Sequence, residues 1–143
     1  MYDLEKAIRT LEDEYCTCVV CRDDNISISN ARGIAPILDY INKGMNLIGG
    51  AVADKIVGKA AALLFVHARV SAVYGRVMSR EATEVLKAHS IGYSYGILTD
   101  KIINRQGTGI CPMEDAVKDI NDPCEAYTAI CKRQEQLRKG EYK

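Results

Sequence analysis

The sequence predicts an α/β fold, a three-layer sandwich in which helices cover both faces of one mixed β-sheet. Two strand-forming runs, residues 15–21 and 26–29, flank the turn residues Asp23-Asp24-Asn25 and predict a β-hairpin. Short apolar runs then alternate with segments of helical periodicity as far as residue 95, which is typical of successive β-α units. A hairpin followed by such units gives a sheet with both antiparallel and parallel strands.

The individual elements follow from local patterns along the chain. Apolar residues three and four apart predict a first helix at residues 2–14, and a second helix begins near Ile34 and stops at Gly44. Pro112 and Pro123 open two C-terminal helices, because proline is favoured at the first helical position. We expect residues 1–143 to form a single domain. The remaining predictions are strands at residues 47–53, 72–78 and 91–95, and helices at residues 54–70 and 79–89.

The composition argues against several classes of partner. Nineteen Lys and Arg residues balance nineteen Asp and Glu residues, so the net charge is zero, whereas nucleic acids and acidic membranes attract basic surfaces. The longest apolar run, residues 60–66, is too short to cross a bilayer, and the charged start of the chain is unlike a secretory signal. We therefore expect a cytoplasmic protein with reduced cysteines that binds neither nucleic acid nor membrane.

Three junctions that lead into helices carry the candidate site residues, because ligands of α/β proteins bind where strand ends and helix N-termini converge. The first junction is Asn30-Ala31-Arg32-Gly33. Arg32 is a candidate to contact a ligand there, although turns and solvated surfaces use the same residue types routinely.

The second junction contains Asp54, Lys55 and Lys59. Asp54 is predicted to cap the N-terminus of the following helix, and the two lysines, four residues apart, would share one face of that helix. Cations are disfavoured at a helix N-terminus, so their presence indicates a small anionic ligand held together with backbone N–H groups. In the alternative interpretation, both lysines extend into solvent.

The third junction runs from residue 104 to Glu114. Pro112 makes Cys111 the residue that caps a helix, where the helix dipole favours a reactive thiolate. Glu114 would close a capping box or act as an acid or base beside the thiol. Alternatively, Cys111 is a small buried apolar residue. The glycines of the segment before Cys111 let the backbone approach a ligand closely. The candidate ligand contacts in that segment are Asn104, Arg105, Gly107, Thr108 and Gly109.

The other cysteines form weaker patterns. On a strand, Cys16 and Cys18 would share one face of the sheet while Cys21 points to the other, which is poor geometry for one metal ion. Cys124 and Cys131 are seven residues apart and are predicted to belong to a helix core. We therefore predict no metal site and no cofactor.

Several of these stretches together resemble a known family. Residues 53–62, 77–79 and 103–114 are similar to a small prokaryotic family that is described as a domain of unknown function and assigned the cytidine deaminase-like fold. The resemblance extends from about residue 4 to about residue 126. It implies a three-layer cytidine deaminase-like domain with additional C-terminal helices, and relatives of that fold often form homodimers.

The zinc motifs of the deaminases are absent from the corresponding positions. Those enzymes carry H-x-E or C-x-E, and then P-C-x-x-C, at the starts of two successive helices. The matching stretches here, residues 30–33 and 53–58, contain no His, Cys or Glu, whereas zinc needs three such ligands and a water. Cys111-Pro112-Met113-Glu114 resembles the second motif only superficially. We predict that the protein is not a zinc-dependent deaminase.

Three functions are compatible with these residues. The first is an enzyme, active or degenerate, that acts on a small anionic metabolite such as a nucleotide-like one. Lys55 and Lys59 would hold the anion, Asp54 would orient it or the lysines, and Cys111 would be the nucleophile. A second is a noncatalytic binding or sensory module that keeps the crevice without the chemistry. A third, based on the six cysteines, is a thiol-redox or metal-binding protein. A homodimer is a further expectation, because relatives of this fold often assemble, but the sequence identifies no surface patch for it.

Overall fold

A computed structural model describes residues 2–103 and 106–140, with side chains from residue 3 onwards. The order of helices and strands is the predicted one, a helix and a hairpin followed by alternating helices and strands and a helical tail. The elements are α1 (Tyr2–Asp13), β1 (Cys18–Arg22), β2 (Asn25–Ser29), α2 (Ala35–Asn42), β3 (Ala51–Val57), α3 (Lys59–His67), β4 (Ala72–Ser79), α4 (Arg80–Ala88), β5 (Gly92–Thr99), α5 (Pro112–Ala116) and α6 (Pro123–Lys139).

The five strands form one mixed sheet in the order β2-β1-β3-β4-β5. The hairpin strands β1 and β2 are antiparallel, and β1 is also antiparallel to β3. Strands β3, β4 and β5 run parallel. This is expected when the helix after each strand returns the chain to the end of the sheet at which that strand began. The prediction of an α/β fold with a mixed sheet is therefore confirmed.

Helices pack on both faces of the sheet, because side chains along each strand alternate between two cores. Val19 and Cys21 pack with Ala7 and Leu11 of α1 in the smaller core. Val20 faces the larger core, which is built around the apolar helix α3 and includes residues of α2, α4 and α6. In the part of the chain that is described, no helix is long and apolar enough to cross a membrane.

The boundary between β3 and α3 differs from the prediction. The strand covers Ala51–Val57 rather than residues 47–53, and the helix begins at Lys59 rather than at Asp54. Residues 47–50 form a turn in which Gly50 N donates to Leu47 O at 2.9 Å and Gly49 has a φ of +77°. The ladder with β1 ends at Asp54, but pairing with β4 continues to Val57 opposite Met78 and extends the strand past Asp54. This pairing involves residues distant in sequence.

Candidate functional site

A cleft of about 850 Å³ opens at the carboxyl end of β3, beside the starts of α2, α3 and α5. It lies at a strand end where helix N-termini meet, which is where ligands bind in open α/β sheets. Its walls combine one buried and one half-buried carboxyl group with aliphatic side chains, and the C-terminal helix α6 closes one side. The polar and charged residues that line it include Thr17, Arg32, Asp54, Lys55, Cys111 and Glu114.

Asp54 lies in β3 with its side chain against the cleft, and only 5% of the residue is exposed. It is paired with Cys18 of β1 on one side and with Gly75 of β4 on the other, so the prediction that it caps a helix is wrong. Burial raises the pKa of Asp54 to about 7. The backbone N–H groups of Ile56 and Lys55 and the thiol of Cys18 oppose this shift, but Ile56 N is 3.4 Å from Oδ1 and burial has the larger effect.

That thiol belongs to Cys18, which is buried beside the carboxyl group. Burial, reinforced by the charge of Asp54, raises the pKa of the Cys18 thiol well above its usual value. The thiol therefore stays protonated and donates to the carboxylate. A carboxyl group with a pKa close to neutrality can both give and accept a proton under physiological conditions.

Glu114 occupies the N-terminus of α3. Its Oε1 accepts from Lys59 N at 2.9 Å and its Oε2 accepts from Ala60 N at 2.7 Å. A carboxylate of the chain itself therefore fills the position at which we expected a ligand anion. Burial raises the pKa of Glu114, although these two N–H groups oppose the shift. The prediction that Glu114 closes a capping box on its own helix is wrong.

Gly58 makes this arrangement sterically feasible. It is the residue that caps α3, and a Cβ atom there would lie 2.5 Å from Oε1 of Glu114 and 2.8 Å from Cγ1 of Ile102. Contacts under 3 Å require one of the groups to move. The glycine therefore allows the carboxylate to reach the helix terminus.

The two lysines of the second junction do not share a helix face, because Lys55 belongs to β3 and Lys59 begins α3. Lys55 lines the cleft, and its Nζ lies 5.9 Å from the centroid of the Tyr15 ring. Lys59 is buried, and its Nζ donates to the carbonyl of Lys118 at 3.2 Å. Through that hydrogen bond, Lys59 contacts the segment after α5.

Cys111 is the residue that caps α5, as predicted, and it is half-buried in the wall of the cleft. However, α5 is only five residues long, so few aligned peptide groups act on the thiol. Its backbone is held in place, since Cys111 N donates to Ile102 O at 3.2 Å. Arg133 of α6 fixes the start of the helix by donating to Pro112 O at 2.6 Å.

The Gly-Thr-Gly loop, residues 107–109, does not line the cleft as predicted. Ile103 and Ile110 form a backbone bridge, and Gly107, Thr108 and Gly109 lie in the exposed turn between them. Of the predicted residues that the structure describes, these three and Lys59 lie outside the cleft walls, whereas Arg32, Asp54, Lys55, Cys111 and Glu114 come together in them. Asn104 and Arg105 are outside the described residues.

Aliphatic residues of the cleft were not identified from the sequence. Ile56, Ile103, Ile110 and Leu137 are exposed and all line the cleft, and Ile103 is 60% accessible. Exposed apolar side chains that gather around a concavity are typical of a ligand site. The sequence feature that could have identified them is the pair Ile103 and Ile110, which flank a polar, glycine-rich loop.

The cysteines of the hairpin differ from the prediction. Cys16 and Cys21 lie in the smaller core and Cys18 in the larger core, because Cys16 precedes β1 and does not follow its alternation. Cys124, which was predicted to be in a helix core, is exposed. Within residues 2–103 and 106–140, no three His, Cys, Asp or Glu side chains are grouped so as to hold a metal ion.

Comparisons with known proteins identify a family and a fold. The sequence profile of the family described as "TM1506: Domain of unknown function (DUF1893)" matches residues 6–133. The chain also resembles the crystal structure of a DUF1893 family protein (TM1506) from Thermotoga maritima, with a TM-score of 0.84, 24% sequence identity, and 92% of this chain and 90% of that chain covered. At this identity the likeness shows the fold alone. No curated protein matches the chain.

Proposed function

The chain belongs to the DUF1893 family, and we propose that it binds a small anionic, nucleotide-like metabolite in the cleft beside Asp54. The observation that carries this proposal is a buried carboxyl group, with a pKa of about 7, in the wall of a large cleft. A carboxyl group in such a position rarely serves only to stabilise a fold, since burying it without strong partners costs free energy. Perturbed carboxyl groups in clefts are characteristic of functional sites.

The cleft offers three kinds of contact to such a ligand. Exposed Ile56 and Ile103 provide an apolar surface for a flat or aliphatic body. Arg32 and Lys55 supply positive charge for a phosphate or carboxylate. Asp54 donates a hydrogen bond when protonated and accepts one when ionised, so it suits the polar edge of a heterocycle.

We assign to Asp54 the exchange of a proton with the bound ligand. Near pH 7 both of its protonation states are populated, as general acid–base catalysis requires. Cys111 lines the same cleft and is the candidate nucleophile of an enzymatic version of this function. Lys59 and Glu114 are not assigned catalytic roles, because their polar atoms are engaged in hydrogen bonds within the chain.

We further propose that the fold is cytidine deaminase-like. The antiparallel hairpin, followed by three parallel strands with helices between them, supports that assignment. Zinc, which deaminases of that fold use, does not fit the residues present. Among the described residues, no three His, Cys, Asp or Glu side chains are grouped so as to hold a metal ion, and both oxygens of Glu114 already accept backbone N–H groups. The proposed function therefore assigns no role to a metal ion.

A noncatalytic binding or sensory module is the second candidate function. It is favoured by the engagement of Lys59 and Glu114 in structural hydrogen bonds, which leaves fewer groups for chemistry. The thiol-redox alternative has less support. Burial raises the thiol pKa of Cys16, Cys18 and Cys21, and a protonated thiol is a poor nucleophile.

Thermal unfolding with a set of ligands tests the proposal. Ribonucleoside monophosphates should raise the Tm more than the matching nucleosides or inorganic phosphate. Arg32→Ala should weaken monophosphate binding about tenfold, a loss of about 1.4 kcal/mol, with little effect on nucleosides. Arg9→Ala, on the exposed face of α1, is the matched control.

Asp54→Asn should weaken the binding of monophosphates and nucleosides alike. Monitoring the bound ligand by NMR over time separates an enzyme from a binding module, because only the enzyme converts the ligand. The proposal is wrong if no anion stabilises the wild-type protein, or if Arg9→Ala and Arg32→Ala have the same effect.

A further inference from the structure

Strand β5 forms one edge of the sheet and presents an uncharged sequence to its surroundings. It pairs with β4 on one side, and it spans eight residues, Gly92–Thr99. Tyr93, Tyr95 and Ile97 alternate along it and share one face, and Ile97 is 61% exposed. Natural edge strands are usually protected by charges, proline or short length, and β5 has none of these three features.

The hydrogen-bonding groups at the open edge can be assigned from the pairing with β4. Gly92 N donates to Ser71 O at 3.2 Å, so the amide of Gly92 points towards β4. Successive residues of a strand direct their N–H and C=O groups to opposite sides. The backbone groups of Tyr93, Tyr95 and Ile97 therefore point towards the open edge.

The sequence at this edge is self-complementary. Gly92-Tyr93-Ser94-Tyr95-Gly96 reads identically in both directions. In an antiparallel pair centred on Ser94, each tyrosine lies opposite a tyrosine and each glycine opposite a glycine. Tyr93 and the partner's Tyr95 form a hydrogen-bonded pair through their outward backbone groups, and Ser94 faces the partner's Ser94 in a non-hydrogen-bonded pair.

We propose that β5 pairs with β5 of a second copy of this chain, on a two-fold axis through Ser94, to form a continuous ten-stranded sheet. A two-fold axis requires a surface that complements itself, and this palindrome meets that requirement. Tyrosine pairs across antiparallel strands are stabilising, and the absence of charge from β5 removes the repulsion that like charges would cause. This pairing is independent of the ligand proposed above.

Charge variants at Ser94 test the axis. The wild type should have twice the 15.8 kDa mass of one chain in analytical ultracentrifugation at micromolar concentration. Ser94→Glu places two like charges opposite each other and should give a monomer, and so should Ser94→Lys. Mixing the two variants should restore a dimer. Asn25→Glu, on the exposed strand β2 at the other edge, should remain dimeric.

A cysteine variant tests the register. Opposed residues in a non-hydrogen-bonded pair have Cα atoms about 4.5 Å apart, within the range that a disulfide spans. In a Cys124→Ser background, which removes an exposed thiol, Ser94→Cys should form a disulfide dimer on mild oxidation, and Asn25→Cys should not. A monomeric wild type overturns the proposal, and so does a Ser94→Glu variant that remains dimeric although circular dichroism shows it folded. A β5 edge that binds only a foreign peptide would give the monomeric result.

Discussion

Asp54, which is buried, and Glu114, which is half-buried, are carboxyl groups in the wall of the same cleft, but their partners differ. Glu114 accepts two short hydrogen bonds from backbone N–H groups at the N-terminus of α3. Asp54 interacts with the backbone N–H groups of Ile56, at 3.4 Å, and of Lys55, and with the Cys18 thiol. The comparison indicates that two short hydrogen bonds tie Glu114 to the start of α3, whereas burial dominates the environment of Asp54.

The largest expected effect concerns Asp54 and pH. The folded state holds the Asp54 proton up to about pH 7, whereas the unfolded chain releases it near its usual pKa of 3.8. The folded protein binds more protons between these values, so its stability falls as the pH rises through that range. From about pH 4 to about pH 8 the wild type should lose on the order of 4 kcal/mol relative to Asp54→Asn.

Urea unfolding at a series of pH values measures this difference. Glu114 is present in both proteins, so its own titration cancels in the comparison. Asp24→Asn, which removes an exposed carboxylate, should follow the wild type. Parallel pH profiles for the wild type and Asp54→Asn would show that Asp54 is an ordinary carboxylate.

Glu114→Ala should have the next largest effect. Removing the carboxylate leaves Lys59 N and Ala60 N unsatisfied at a buried helix end, which should cost about 3 kcal/mol of unfolding free energy at neutral pH. Glu84→Ala, on the exposed side of α4, should change stability by less than about 0.5 kcal/mol. A loss in Glu114→Ala no greater than that of this control would refute the structural role.

Gly58→Ala should act through the same contact. The added Cβ displaces the Glu114 carboxylate and should destabilise the protein by about 2 kcal/mol. Gly109→Ala is the matched control, because nothing lies within 4 Å of a Cβ atom at that position. In the double variant with Glu114→Ala, the cost of Gly58→Ala should fall, since one of its clashes has been removed. Additive effects would contradict the mechanism.

Local sequence patterns were sufficient to predict the order of the helices and strands, but not the positions and partners of these two carboxyl groups. Periodicity, turn residues and prolines at helix starts depend on neighbours in the chain, and they gave the correct succession. Asp54 has the residue type of a helix cap, yet its environment is set by Cys18 and Gly75 on adjacent strands. Likewise Glu114 binds N–H groups more than fifty residues earlier in the sequence. Contacts of this kind depend on the tertiary structure.

Only part of the candidate site could be predicted, because the rest depends on the tertiary structure. Arg32, Lys55 and Cys111 line the cleft because strand ends and helix starts converge there, as the fold class implies. Lys59 lies only four residues from Lys55, but the turn from β3 into α3 separates their side chains. A shift of a few residues in an element boundary is therefore enough to move a predicted cleft residue into a packing contact.

The titration of the Asp54 carboxyl carbon by ¹³C NMR tests the central claim most directly. The signal is assigned by its loss in Asp54→Asn, and its chemical shift is followed with pH. The buried position of Asp54 predicts a midpoint of about 7. A midpoint near 3.8 would contradict the claim that Asp54 exchanges a proton in the cleft at neutral pH.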